Sequence, residues 1–394
     1  MPRVLWSIVG ALAVGGFIAD VAAYDGIVEK KVFELPEYTT TGGETIKDIR
    51  IGWEAYGELN EAKDNVILIT HYFSGTSHAA GRYAEDDPAP GYWDYLIGPG
   101  KPIDTDEFYV VSSDTLVNLN VGLPDVVTTG PASIDPDTGG PYGMDFPIVT
   151  IRDFVNVQKA LLESLGISRL EAVMGASMGA LQAYEWAVAY PGMVERLVAV
   201  IGAGVIDAFN VGWIDIWAAP IRLDPNWNGG DYYGKKPPLA GLTEALKIVT
   251  LHAQHWEWAA ETYGRAWAEE GKNPAASFDH QFAIEAALEQ AGAARAAVAD
   301  ANHFLYLAKA NQLFVAGHGE ALADSLARID APTLIIHQPE DLIFYPALVQ
   351  QTASLIGADG TPVKRVEIAG ARGHLDGVLS LAQVGDVLEA FLEQ

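Results

Sequence analysis

A serine at position 177 stands in a setting that favours nucleophilic catalysis. Ser177 lies between Gly175 and Gly179 in the run EAVMGASMGALQAYEWA, after a short apolar segment and before a helical one. A serine on such a strand-to-helix turn has a strained backbone that small neighbours permit, and its hydroxyl projects from the edge of a sheet. The five-residue pattern alone would equally fit an inert turn serine. With its flanking elements, it predicts a nucleophile elbow.

A carboxylate and a histidine follow in the order that a serine nucleophile requires in an α/β-hydrolase fold. The β-branched run 333–337 leads into Glu340 and Asp341, and a later strand-like run leads into His374. The acid orients the histidine, and the histidine takes the proton of the serine. We favour Asp341 over Glu340, because its shorter side chain is the usual partner and the apolar residues after it would bury it. The predicted triad is Ser177, Asp341 and His374.

A serine nucleophile also needs two preorganised N–H donors for the oxyanion. Met178, directly after the nucleophile, supplies one. The loop HYFSGTSH supplies the other candidate, Ser74, because Gly75 lets the chain turn back over the site. Ser74 would otherwise be an ordinary turn serine. Tyr72 and Phe73 of the same loop are expected to line the substrate pocket.

The pattern of apolar residues predicts the strands and helices that must position these side chains. Alternating runs between residues 27 and 58 predict two edge strands, whereas NVILITHYF, FYVVSSD, LEAVMG and RLVAVIGAG predict strands buried inside a parallel sheet. Residues 204–326 have helical periodicity throughout, which predicts an all-helical lid over the carboxyl ends of the strands. The predicted fold is therefore an α/β-hydrolase fold with a mostly parallel central sheet. Its core comprises residues 24–203 and 327–394, and its lid comprises residues 204–326.

Charge and composition limit the partners. Asp and Glu number 52 against 24 Lys and Arg, so the net charge is −28, which disfavours nucleic acids and anionic lipid surfaces. The chain has no cysteine, which excludes disulfides, cysteine nucleophiles and thiolate metal sites. We expect a small-molecule ester or acyl donor as substrate, with no cofactor and no metal.

The N-terminus has the pattern of a secretory signal peptide. Arg3 precedes an apolar stretch over residues 4–18, and the small-residue pattern of residues 21–23 resembles a cleavage site. The apolar stretch is shorter than the roughly 20 residues that a membrane-spanning helix needs. We therefore expect residues 1–23 to be removed, leaving Tyr24 first in a periplasmic or secreted enzyme without stable membrane insertion. Retention as an N-terminal anchor is the alternative.

Several long loop motifs resemble those of homoserine O-acetyltransferases, which transfer an acetyl group from acetyl-CoA to homoserine. The similar segments are IGPGKPIDTDEFYVVSSD, TGPASIDPDTGGPYGMDFPIVTIRDFV, MGASMGALQAYEWA, LDPNWNGGDYY, NHFLYLAKA and DLIFYP. The likeness covers almost all of the chain after residue 23. It implies the same triad and oxyanion residues, and a homodimer formed through the helical lid.

The sequence departs from this family at the substrate site. In the family, the helix after the NGGDYY motif carries an arginine and, two turns on, a tyrosine that hold the amino-acid substrate. An ungapped alignment places Leu246 and Ala253 at those positions. A one-residue slip would offer Lys247, and Arg222 could act from a neighbouring segment, but neither reproduces a bidentate arginine. The expected carboxylate-binding pair is therefore missing.

Two further departures concern the catalytic loop and the compartment. The family has an aspartate directly after the catalytic histidine, whereas here Leu375 intervenes and Asp376 follows. The export signal separates the enzyme from cytoplasmic acetyl-CoA. These departures favour an exported serine esterase on the acetyltransferase scaffold. An O-acyltransferase that uses acetyl-CoA is the alternative, and the complete triad disfavours a catalytically inactive binding protein.

Overall fold

Eight strands form one central sheet in the computed structural model, which describes residues 26–394. The strands in chain order are β1 (Lys31–Thr39), β2 (Thr45–Tyr56), β3 (Val66–Thr70), β4 (Ile97–Gly98), β5 (Ile103–Asp104), β6 (Tyr109–Ser113), β7 (Ala172–Ala176), β8 (Leu197–Val200), β9 (Thr333–His337) and β10 (Val363–Glu367). The spatial order is β1-β2-β6-β3-β7-β8-β9-β10, and β4 pairs only with β5. The predicted signal peptide lies outside the described residues.

The sheet is parallel except at its N-terminal side. From β6 to β10 every neighbouring pair is parallel, whereas β2 pairs antiparallel with both β1 and β6. Strands β3, β7 and β9 are buried along their whole length, as expected for strands covered on both faces. The predicted mostly parallel sheet is confirmed. Of the two predicted edge strands, only β1 lies at the edge, because Trp53 of β2 pairs with Ser113 of β6.

Eleven α-helices occur in the described part of the chain. In chain order they are α1 (Ile151–Ser164), α2 (Met178–Ala189), α3 (Ala208–Leu223), α4 (Leu239–His252), α5 (Trp256–Thr262), α6 (Ala283–Ala296), α7 (Ala301–Gln312), α8 (Leu322–Leu326), α9 (Pro346–Ile356), α10 (Asp376–Leu379) and α11 (Gly385–Leu392). Within residues 26–394, none of the helices combines the length and the apolarity needed to span a bilayer.

The chain between β8 and β9 contains helices and no strand of the central sheet. We call its helices α3–α8 the lid. Within the lid, α4 packs against both α3 and α6. In sequence, the lid follows the carboxyl end of β8 and ends before β9 begins. It is thus placed beside the sheet edge where the predicted nucleophile, acid and histidine follow their strands.

Candidate active site

Ser177 forms the sharp turn between β7 and α2. Its φ of 57° and ψ of −121° lie outside the regions that non-glycine residues prefer, a strain of about 1–3 kcal/mol. The flanking glycines permit the turn, because a Cβ at Gly175 would overlap the Thr70 hydroxyl and a Cβ at Gly179 would overlap the Thr70 carbonyl oxygen. The sequence pattern therefore does form an elbow, packed tightly against the end of β3.

A continuous chain of hydrogen bonds starts at this serine. The Ser177 hydroxyl lies 2.8 Å from His374 Nε2, and His374 Nδ1 lies 2.8 Å from Asp341 Oδ2. The other oxygen of Asp341 accepts hydrogen bonds from the backbone N–H groups of Ile343 (2.7 Å) and Phe344 (3.1 Å). Asp341 is only 2% exposed. The structure thus brings the three predicted residues together and fixes the carboxylate from both sides.

Glu340, the rival acid, faces a different histidine. Its carboxylate lies 3.2 Å from Nδ1 of His255, and its side chain is 50% exposed. His255, Glu257 and Glu340 each offer one ligand atom within 4.8 Å of the others, so they are the described residues that could hold a metal ion. Exposed acidic groups in this arrangement are common without an ion, and none of the three contacts the Ser177 hydroxyl.

The loop after β3 lies beside the first turn of α2. The Gln182 amide donates to the His71 carbonyl oxygen (3.1 Å). Within residues 26–394, the backbone N–H groups of Ser74 and Met178, the predicted oxyanion donors, donate no hydrogen bond. The N–H of Phe73 is equally free, a candidate that we did not predict. Ser74, Met178 and Phe73 therefore each keep a backbone N–H that is available to an oxyanion.

His71 holds this loop and carries no charge. Its Nδ1 donates to the Tyr72 carbonyl oxygen (2.8 Å), and its Nε2 accepts from the backbone N–H of Thr115 (3.2 Å). Burial lowers the pKa of His71 to about 4. The Phe73 ring packs edge-on against Trp217 of the lid at a centroid distance of 5.7 Å. The loop is therefore fixed to the core by His71 and to the lid by Phe73.

The lid is joined to the loop that carries His374. The backbone N–H of Leu375 donates to the carbonyl oxygen of Ala253 at the end of α4 (3.2 Å). One residue earlier, His252 stacks on Trp213 (4.2 Å between centroids) and accepts from Trp217 Nε1 (3.2 Å). Burial, reinforced by the nearby His374, lowers the pKa of His252 to about 4. A neutral histidine thus packs beside the predicted catalytic one.

The positions where the family would hold its amino acid are apolar. Leu246 is fully buried in α4, and Ala253 is buried at its end. Together with Thr250, these residues recur at i, i+4 and i+7 and therefore share one helix face. Lys247 pairs with Glu244 (2.8 Å), which engages its ammonium group. It does not substitute for the missing arginine.

Two other candidate substrate groups are engaged elsewhere. Arg222 pairs with Asp215 (2.6 Å) at a surface cavity that none of Ser177, His374 and Asp341 lines. Asp376, which we expect to line the pocket, is buried, and its carboxylate accepts from the Arg372 backbone N–H (2.9 Å) and the Ser380 hydroxyl (3.0 Å). These contacts engage the carboxylate within the histidine loop.

One residue that we did not predict occupies the α4 face. Arg295, in the last turn of α6, donates from Nη1 to the Thr250 hydroxyl (2.6 Å) and the Leu246 carbonyl oxygen (3.4 Å). The alanine-rich sequence of α6 gives no indication of this contact, which depends on how α6 packs against α4. A positive charge therefore reaches the face where the family arginine is missing.

Comparisons with known proteins agree with this geometry. A family model described as the alpha/beta hydrolase fold matches residues 121–378. The homoserine O-acetyltransferase of Methanococcoides burtonii is 37% identical over 356 residues, covering 90% of this chain and 72% of that relative. The homoserine O-acetyltransferase of Symbiobacterium thermophilum is 36% identical over 355 residues, covering 89% of this chain and 91% of that relative.

Two solved structures are similar over nearly the whole described chain. Esterase E22 is 52% identical with a TM-score of 0.89, covering 93% of this chain and 100% of that one. The homoserine O-acetyltransferase from Bacillus anthracis is 38% identical with a TM-score of 0.89, covering 93% of this chain and 98% of that one. The chain therefore belongs to the homoserine O-acetyltransferase family of α/β-hydrolase-fold enzymes.

Proposed function

We propose that this enzyme hydrolyses esters through an acyl-enzyme intermediate on Ser177. The observation that carries the proposal is the unbroken hydrogen-bonded chain from the Ser177 hydroxyl through His374 to Asp341. This is the arrangement that a serine needs to become a nucleophile at neutral pH. We assign Ser177 as nucleophile, His374 as general base and acid, and Asp341 as the group that orients the histidine.

The reaction proceeds in two balanced steps. Ser177 Oγ attacks the ester carbonyl while its proton passes to His374 Nε2, and the backbone N–H groups of Met178 and Ser74 receive the developing oxyanion. His374 then gives that proton to the leaving alcohol, and the acyl-enzyme remains. Water gives a proton to His374 as it attacks the acyl-enzyme carbonyl. The bond to Ser177 Oγ then breaks, His374 returns the proton to Oγ, and the acid is released. Asp341 stabilises the imidazolium in both steps.

Hydrolysis and transfer share the acyl-enzyme and differ only in the molecule that attacks it. Leu246 and Ala253 leave the α4 face without the arginine and tyrosine that hold an amino acid in the family, and Leu375 stands next to the histidine. The 52% identity to a protein described as an esterase agrees with water as the acceptor. We therefore favour an ester hydrolase.

An O-acyltransferase is the second candidate, favoured by the 36–37% identity to homoserine O-acetyltransferases. The two are separated by turnover of p-nitrophenyl acetate and of acetyl-CoA, each with and without homoserine, on residues 24–394. A hydrolase turns over p-nitrophenyl acetate at a rate that homoserine does not change. Rapid acetyl-CoA turnover that saturates with homoserine below 1 mM would establish the transferase instead.

We also propose that residues 1–23 are removed on export to the periplasm or the exterior. The charged, apolar and small-residue regions of that segment support this proposal. Mass spectrometry of the protein from its native host is expected to find Tyr24 at the N-terminus. An intact Met1 on protein from the cytoplasm would overturn export and would make acetyl-CoA an available donor.

A homodimer formed through the lid is the third proposal. Phe209, Ile216 and Leu223 recur every seven residues on one face of α3 and are 57%, 49% and 81% exposed. An apolar helix face of this kind supports an interface. Sedimentation is expected to give a dimer that Ile216→Glu dissociates. A monomeric unmodified protein at micromolar concentration would contradict this proposal.

A further inference from the structure

Arg295 carries a half-buried positive charge without an acidic partner. Carboxylates outnumber cations 52 to 24 in this chain, yet within residues 26–394 no carboxylate oxygen lies within 4.0 Å of the Arg295 guanidinium. Its two hydrogen bonds both come from Nη1. A guanidinium has five N–H donors, so Nε and Nη2 remain available to a ligand. Burial lowers the pKa of Arg295, but an arginine keeps its charge at neutral pH.

The guanidinium contacts a helix that is hydrogen-bonded to the histidine loop. It contacts Thr250, which shares one face of α4 with Ala253 and lies about 4.5 Å from it along the helix axis. The carbonyl oxygen of Ala253 accepts from Leu375, the residue after His374. The Arg295 charge also acts on Tyr72 in the loop that carries the free N–H groups. Its hydrogen bonds hold Arg295 on the α4 face that is joined to the histidine loop.

This position corresponds to the alcohol portion of an ester. In acyl transfer by a serine, the histidine protonates the leaving alcohol, so the alcohol must lie on the side of His374. The α4 face that holds Arg295 is attached to the same histidine loop through Leu375. A carboxylate on the alcohol portion would meet the free N–H donors of the guanidinium in a charge-assisted, fork-shaped contact.

The two carboxylates that the described structure places in the acid and histidine loops are already hydrogen-bonded within the protein. Asp341 is occupied by His374 and two backbone N–H groups, and Asp376 by Arg372 and Ser380. A zwitterionic amino acid would bring a positive charge next to Arg295 without a counter-ion. Esters whose alcohol portion carries a carboxylate and no amine match the charges of this site.

We propose that Arg295 binds the carboxylate of the alcohol portion, and that the preferred substrates are short acyl esters of hydroxycarboxylic acids without an amino group. The proposal rests on the ester hydrolysis proposed above. It differs from a purely structural role, in which Arg295 only ties the end of α6 to α4. If the role is structural, loss of Arg295 lowers kcat/KM for all esters alike. If Arg295 recognises the substrate, its loss lowers kcat/KM only for esters with a carboxylate.

Three matched probes separate these roles in the full mature enzyme. They are 4-acetoxybutanoate, its neutral methyl ester, and O-acetylhomoserine, which adds the ammonium group. Acetate release gives kcat/KM for each probe. We expect the unmodified enzyme to prefer 4-acetoxybutanoate to both other probes by about ten- to a hundredfold, the range of a charge-assisted hydrogen bond. Equal values for the anion and its methyl ester would overturn the proposal without any variant.

Variants at two neighbouring basic residues sharpen the test. Arg295→Gln is expected to abolish the preference for the anion over its methyl ester, and Arg295→Lys to keep part of it because the charge remains. Lys247→Gln, a charge loss on the adjacent face of α4, is the matched control and leaves the preference unchanged. A preference that survives in Arg295→Gln would assign recognition to another group and refute the proposal.

The outcome also separates this proposal from the function on which it rests. If the enzyme hydrolyses the methyl ester in a Ser177-dependent reaction but does not discriminate between charged and neutral probes, the role of Arg295 is refuted and the ester hydrolase stands. Failure to hydrolyse any of the three probes or p-nitrophenyl acetate would refute both.

Discussion

The loops at the strand ends of the core and the α4 face of the lid differ in whether their polar side chains have hydrogen-bond or ionic partners within the protein. In the core, the Ser177 hydroxyl, His374 and the Asp341 carboxylate all have partners within the protein. On the lid, Leu246 and Ala253 offer no polar side chain, and Arg295 has a charge without an acidic partner among residues 26–394. In the function that we propose, bond breaking and acceptor choice reside on separate elements, so the acceptor could change while the nucleophile is retained.

The largest effect is expected from Ser177→Ala. Removal of the nucleophile leaves only the oxyanion donors and binding, so ester turnover should fall by about 10⁴- to 10⁶-fold. The steady-state rate with p-nitrophenyl acetate measures this loss. Ser354→Ala, an exposed serine on α9, is the matched control and keeps full activity. A Ser177→Ala enzyme with more than a tenth of the unmodified rate would refute the proposed mechanism.

The two adjacent acids provide the second test. Asp341→Asn should lower kcat by about 10⁴-fold, because the amide favours the wrong histidine tautomer and cannot stabilise the imidazolium. Glu340→Gln should change kcat by less than about threefold, since Glu340 contacts His255 and not His374. Comparable losses in both variants would mean that the chain divides the acid role between the two carboxylates.

The third test introduces the acceptor-binding residues of the family into α4. Leu246→Arg with Ala253→Tyr restores the family pair, and Arg295→Gln removes the guanidinium that would otherwise lie beside the new one. Homoserine-dependent acetyl transfer from acetyl-CoA should rise by about ten- to a hundredfold in this triple variant. Adding Ser177→Ala is the control and abolishes the gain. No gain in a folded triple variant would show that the ungapped alignment misplaces the acceptor site.

The smallest effect concerns the junction of lid and core. The folded-state pKa of His252 is about 4, below its ordinary value of 6.5, so the unfolded chain binds more protons between these values. The contribution of neutral His252 to stability is therefore present above pH 6.5 and is lost as the pH falls toward 4, by up to about 3 kcal/mol.

His252→Gln keeps an acceptor for Trp217 and removes the titration. Denaturant unfolding at pH 7 and pH 4.5 should give a difference in unfolding free energy that is smaller in His252→Gln than in the unmodified enzyme. The same pH dependence in both proteins would place the titrating group elsewhere.

Much of the core was predictable because its determinants are local. Strands β3, β7 and β9 are fully buried and have apolar centres, and Ser177, Asp341 and His374 each follow a strand by at most seven residues. The role of the lid face was not predictable. Arg295 is 45 residues from Thr250, and only the packing of α6 on α4 joins them. The burial of Asp376 likewise depends on contacts with Arg372 and Ser380 that residue type alone does not reveal.

The central claim is that water, and not an amino acid, receives the acyl group from Ser177. The most direct measurement is product analysis by NMR after p-nitrophenyl acetate is consumed in the presence of 10 mM homoserine. Our account predicts free acetate as nearly the whole product, with no acceleration by homoserine. O-acetylhomoserine as the main product would contradict it and would identify the enzyme as a transferase.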